Sequence, residues 1–345
     1  MFREKPPEAR EARQPMLPDR ETLLRAKIKD LQLHLVHTPL QKHINTLYAE
    51  LEAKGIAFRP QCYLSDQWGC PSGVPVIGIP FYLADPKLHS LEEEFYGGVE
   101  SEQEIMMYLR HEAGHALNYA YQLYDTEEWK KLFGDYGKPY HDDYKAKPFS
   151  RKYVIHISGW YAQKHPDEDF AETFAVWLTP GSDWQRRYHG WGALKKLLYV
   201  DETLQRVGQL PAPITLDARD ADVSEMEETV LDHYKQRKLE EKIDLQLTEQ
   251  FDAHLLHLFE RAGAAPIDAE TLLRAETQAL LQAVTRYSGV GRPVVKALLD
   301  HMIERVVALH LTIHIQKTRE YLTQLTALLT TLAMNYVYTD RFFED

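Results

Sequence analysis

The sequence predicts an α+β fold in two parts, on three observations. Between residues 56 and 83, Gly and Pro punctuate short β-prone runs, Ala57–Tyr63 and Val74–Leu83. Around them, apolar residues recur at helical spacing, as Ile105, Tyr108, Leu109, Ala113, Ala116, Leu117 and Ala120 do. Beyond Leu210-Pro211-Ala212-Pro213 the pattern is helical almost throughout, over 222–262, 269–287 and 292–336. That break divides a first domain, 20–209, from a C-terminal helical domain, 214–345, expected as an all-α antiparallel bundle or long hairpin.

In chain order, Met1–Asp19 is Pro-rich and charged, and reads as a disordered arm without the apolar core of a secretory signal. Residues 20–54 are helical in pattern, interrupted at Thr38-Pro39 because the residue before a proline avoids the helix, and closed by Gly55. Pro75 and Pro80 confine the run Val76–Leu83 to an edge strand. An edge beside a site can take an extended peptide by strand addition, or its prolines can simply guard against aggregation. Residues 91–100 are acidic and include Gly97-Gly98, a flexible lead into the next helix; 125–150, rich in Tyr, Asp and Lys, reads as an irregular loop. A helix from Gly192 onward closes the first domain.

The chain is 44% hydrophobic and 27% charged, enough apolar material for a sizeable core, and its net charge of −12 argues against nucleic acid as the main partner. No apolar run approaches the length of a membrane span. A cytoplasmic location follows by default. The two cysteines, Cys62 and Cys70, fit a reducing compartment and read as free thiols, with a bridge between them the alternative.

The chemistry concentrates in His111-Glu112-Ala113-Gly114-His115. Residues four apart share one face of a helix, so both imidazoles can aim a nitrogen at one ion. Two neutral imidazoles suit Zn²⁺, which in a catalytic site takes a third protein ligand and keeps a fourth position for water. Glu112, about 100° further round the helix, stands beside the metal, where it can take a proton from the zinc-bound water and return it to a leaving group. Ser101 and Glu104 form a capping box that opens this helix, so the motif lies mid-helix. The pattern H-E-x-x-H-x-x-G-x-x-H, with a third histidine at short range, fails, since Asn118 holds its glycine position and Tyr121 its histidine position. A carboxylate from a second helix can serve instead. Pro166 fits a first turn, the acidic cluster Asp167-Glu168-Asp169 favours a helix N-terminus, and Phe170, Phe174 and Trp177 make its packing stripe. Glu168 and Glu172 share a face; by spacing alone either can be the ligand, the other holding a ligand imidazole in its tautomer.

His111-Glu112-x-x-His115 followed by Glu168-x-x-x-Glu172 resembles the gluzincin metallopeptidases, and within them the catalytic domain of anthrax lethal factor and a bacterial group of zinc-binding metallopeptidases. The resemblance covers about residues 56–200. It implies a zincin-like domain, a small mixed sheet beside the active-site helices. It also implies that Glu168 is the third ligand and that Glu172 supports a histidine, most naturally His111. Tyr161, seven residues before Glu168 in Gly159-Trp160-Tyr161, would stabilise the oxyanion.

The expected function is a zinc metallopeptidase that hydrolyses peptide bonds of a peptide or protein substrate, with a protein partner able to dock on the C-terminal helices. The alternatives are a zinc hydrolase of a non-peptide amide or ester, and a helical interaction protein whose zinc is not catalytic. His141, His156 and His165 read as polar loop residues, with His156 or His165 as a transition-state donor the sharper alternative. His254/His257 and His310/His314 have metal-like spacing on helices and read as bundle faces.

Overall fold

The computed structural model describes residues 17–141, 144–240, 249–261, 267–339 and 341–342. It is mostly helical with two small sheets. In chain order the elements are α1 (Arg20–Arg25), α2 (Pro39–Ala53), β1 (Gln61–Ser65), β2 (Val76–Pro80), α3 (Pro86–Tyr96), α4 (Glu102–Ala120), α5 (Glu127–Phe133), α6 (Pro166–Leu178), α7 (Trp184–Arg187), α8 (Ala193–Val207), α9 (Val230–Glu240), α10 (Glu249–Leu258), β3 (Glu260–Arg261), β4 (Ile267–Asp268), α11 (Ala269–Ala275), α12 (Thr277–Ser288), α13 (Arg292–Ala308), β5 (Leu311–Ile313) and α14 (Thr318–Thr339).

The helix starts follow their capping chemistry. Asp19 caps α1 through the amides of Glu21 and Thr22, and α2 and α6 each begin on a proline. Ser101 Oγ accepts from the Glu104 amide while the Glu104 carboxylate accepts from the Ser101 amide, so α4 opens on a reciprocal capping box. β1 and β2 pair in parallel, Tyr63 opposite Gly78. Gly78 also bridges Gly69 on its other side, so β2 is covered on both flanks at that point. β2 pairs with β1 alone in a two-stranded sheet, an edge strand as expected, and the Gly69 bridge occupies its free side at Gly78.

Two expected loops contain helices. Leu88 and Leu91 bury one side of α3 within the acidic run before Gly97, and Trp129 and Phe133 bury one side of α5. Each is a short amphipathic helix whose few apolar anchors were outnumbered by charge in the sequence. The C-terminal part is not all-α: β5 lies between β3 and β4 in a small antiparallel sheet, dividing the expected helix over 292–336 into α13 and α14.

Buried side chains form two hydrophobic clusters, one running from Leu17 to Tyr234 and the other from Phe251 to Phe342. The segment after α8 belongs to the first. Its backbone runs back along the N-terminal elements, through Ala57 N to Gly208 O at 2.8 Å, Ile214 N to Ala120 O at 3.1 Å, Val223 N to Leu64 O at 3.1 Å and Val230 N to Ala26 O at 3.0 Å. The Tyr234 ring on α9 then stacks on Phe95 at 4.6 Å. The expected break at Leu210–Pro213 therefore falls within the span of the first cluster. Of the expected arm Met1–Asp19, residues 1–16 lie outside those described, Leu17 is buried and Asp19 serves as a cap. Among the described residues no helix is long and apolar enough to cross a membrane.

Candidate metal centre

The centre lies where α4 crosses α6. Gly114 makes the crossing tight: a Cβ there would sit 2.8 Å from Ala171 Cα and 3.0 Å from Ala171 O. Only glycine lets the two backbones come so close, and this approach brings the carboxylates of α6 within reach of the imidazoles of α4.

His111 and His115 are one turn apart on α4, their ring centroids 4.8 Å from each other. Their Nε2 atoms are separated by 3.1 Å, and Glu168 Oε2 lies 3.0 Å from the first and 3.2 Å from the second. All three side chains are buried. Zinc bonds of about 2.0–2.1 Å in tetrahedral array hold ligand atoms about 3.3 Å apart, so these three sit within a few tenths of an ångström of that spacing. Two imidazole nitrogens and a carboxylate oxygen this close together are a donor set that suits a cation. A cation between them satisfies all three. Among the described residues this is the one group of three or more His, Cys, Asp or Glu side chains arranged to hold a metal.

The far sides of the imidazoles are also held. Glu172 Oε1 lies 3.0 Å from His111 Nδ1, while Glu172 Oε2 accepts from the amides of His156 at 3.2 Å and Ile157 at 2.9 Å. Asp167 was not singled out from the sequence, yet its Oδ2 lies 2.9 Å from His115 Nδ1, oblique to the ring N–H. That carboxylate accepts from Asn118 Nδ2 at 2.7 Å, Tyr119 Oη at 2.5 Å and Tyr140 Oη at 3.3 Å. Its sequence signal was its place one residue before Glu168, which turns it about 100° round α6 towards the other imidazole.

Glu112 is buried beside the cluster. Burial raises its pKa; His111 and His115 pull against that, while Glu168 and Asp167 push with it. Tyr161 opens a single 3₁₀ turn, Tyr161–Gln163, and its ring stands edge-on to His111 at 5.6 Å between centroids. Burial pushes its hydroxyl pKa up, and the carboxylates of Glu168, Glu112 and Glu172 push it further, so the phenol stays protonated and can donate. For Glu168, burial works upwards, but the two imidazoles outweigh it and hold the carboxyl well below its usual range.

Three of the other histidines singled out from the sequence have partners elsewhere. His156 Nε2 is 3.0 Å from Met107 O. His165 caps α6, accepting at Nδ1 from the Asp167 amide (3.1 Å) and lying 2.8 Å from Lys138 O through Nε2. His141 is exposed. His314 is 2.9 Å from a Glu260 carboxylate oxygen in the second cluster. Cys62 and Cys70 are free thiols.

Two imidazoles from one helix and a carboxylate from a second, converging at a buried point with a further carboxylate alongside, form a group that could hold a metal ion. The stretch that carries them, residues 98–184, matches the model of a family described as "Putative zinc-binding metallo-peptidase". That match spans about a quarter of the chain, from the lead into α4 to the start of α7. No curated protein and no solved structure matches the chain, so the likeness to the lethal factor domain stays with the sequence pattern.

Proposed function

We propose that the protein is a zinc-dependent metallopeptidase of gluzincin type that hydrolyses peptide bonds of a peptide or protein substrate. The observation that carries this reading is the convergence of His111 Nε2, His115 Nε2 and Glu168 Oε2 within 3.2 Å of one another, with Glu112 next to them. Zn²⁺ held there supplies Lewis acidity to a scissile carbonyl and lowers the pKa of a water. Glu112 takes the proton of the attacking water on its carboxylate and delivers it to the leaving amine. Tyr161 Oη donates to the oxygen on which negative charge develops. Glu172 and Asp167 fix the two imidazoles in the tautomer that leaves Nε2 free to ligate.

The family match supports peptide chemistry over a non-peptide amide or ester. A purely structural zinc would be closed by a fourth protein ligand, and among the described residues the cluster has three. Glu112→Gln is the direct test: the variant is expected to bind zinc as wild type does and to lose hydrolysis. A variant that loses the metal, or keeps the activity, would remove Glu112 from this role.

A further inference from the structure

The helical domain touches the catalytic one beside Tyr161. Gly159 and Trp160 both adopt left-handed backbone, at φ 87° and 59°. For tryptophan this is an uncommon conformation that persists only where its surroundings hold it. On one side, Tyr144 Oη donates to Gly159 O at 2.9 Å, and Phe149 meets the Trp160 ring edge-on at 5.2 Å. On the other side sits the turn between α12 and α13. Gly289, at φ 79°, lies so close that a Cβ there would be 3.0 Å from Trp160 Cδ1, and its carbonyl oxygen is 3.7 Å from where a Gly159 Cβ would be. Trp160 is buried under this contact. The next residue is Tyr161, whose ring stands against His111. One residue past the turn, Arg292 Nη1 lies 3.9 Å from Glu104 Oε1 in the first turn of α4.

We propose that the Gly289 turn of the helical domain is a positioning element for Tyr161, acting through Trp160. The domain thereby completes the catalytic site as well as offering helices to a partner. The turn seats the Trp160 ring, the seated ring keeps residues 159–160 left-handed, and that backbone sets where the Tyr161 hydroxyl points. Gly289 and Trp160 touch neither substrate nor metal. This inference rests on the peptidase reading, with Tyr161 as oxyanion donor.

The test is a double-mutant cycle on the full-length, zinc-loaded protein, with kcat and KM measured separately and zinc content and thermal midpoint recorded for each variant. Tyr161→Phe removes one oxyanion donor and is expected to lower kcat roughly 10²–10³-fold. Gly289→Ala puts a methyl against the Trp160 ring and disfavours the turn. It is expected to lower kcat about tenfold with KM nearly unchanged, since displacements of about an ångström at the reacting groups have effects of this size or larger. In the Tyr161→Phe background the same substitution is expected to change kcat less than about twofold, because the group it misplaces is gone. Gly291→Ala, whose Cβ would make only an ordinary 3.7 Å contact with Pro293 Cδ, is the control in the same turn and should leave kcat as it was. If Gly289→Ala lowers the thermal midpoint sharply, Trp160→Phe replaces it in the cycle with the same expected coupling. Equal losses in both backgrounds, or an equal loss from Gly291→Ala, overturn the proposal while the peptidase reading stands. A zinc-loaded wild type that cleaves no peptide removes that reading, and this inference with it.

Discussion

On the proposed reading, the residues at the α4–α6 crossing divide into those that would hold the ion and those that would hold the ligands in place, and substitution separates them. Removing a ligand should empty the site, whereas removing a supporting carboxylate should weaken zinc about 10–100-fold. Glu168→Ala is therefore expected to bind no zinc in a competition titration, and Glu172→Ala and Asp167→Asn to bind it in that weaker range. The reverse order between Glu168 and Glu172 would exchange their roles. The centre also has a pH signature. In the metal-free protein burial presses the His111 pKa down, but hydrogen bonds to Glu168 and Glu172 win and raise it to about 9. At pH 7.5 that imidazolium must lose its proton before it can ligate. Zinc affinity should then rise with pH up to about 9, and calorimetry in buffers of different ionisation heat should register proton release. Uptake, or none, would contradict the arrangement. Most of this centre was legible residue by residue, because His111, His115, Glu112 and the Glu168/Glu172 pair are tied to helical geometry. Asp167 was not, since its role depends on the angle at which two distant helices cross, and Gly114 was only a spacer until that crossing was seen.

At the scale of elements, α6 is fixed on its metal side by the imidazoles and on its other side by α8. The Lys196 ammonium donates to the buried Asp169 carboxylate and to Lys152 O, and lies 4.4 Å from the Tyr153 ring centroid. Burial lifts Asp169 to about 7 even though Lys196 pulls it back. A folded pKa above the unfolded one means that the native state binds more protons between about 4 and 7, so this group's contribution to stability falls as the pH rises through that window. Lys196→Met leaves the carboxylate buried and unpaired and should cost about 3–5 kcal/mol at pH 8, against a neutral or favourable change for Asp169→Leu combined with Lys196→Met. Denaturant midpoints at pH 5 and pH 8 check both points: the single variant should recover at the lower pH as Asp169 is neutralised. A loss independent of pH would mean that packing, not charge, sets the cost. The capping box at Ser101, the proline starts of α2 and α6 and the strand of 76–80 were visible from their local chemistry. The helices α3 and α5 were hidden, because burial of two or three anchors against a distant surface outweighed their polar composition.

At the scale of the molecule, buried side chains gather in two apolar clusters, and Pro211 and Pro213 lie within the span of the first. After them the chain continues along the first cluster as far as α9, held by backbone hydrogen bonds to residues far away in sequence. No local signal carries such contacts. The small β3–β5–β4 sheet was hidden for the same reason, since strands of two or three residues form only once helices have brought them together. The whole account depends on one claim, that the buried cluster holds zinc and that Glu112 uses it to hydrolyse peptides. The most direct measurement is mass-spectrometric analysis of a proteome-derived peptide mixture after incubation with wild type and, in parallel, with Glu112→Gln, zinc content being determined on both. The account predicts equal zinc, with new cleavage products in the wild-type sample alone. Zinc bound in both proteins with no cleavage in either, or the same cleavage in both, would contradict it.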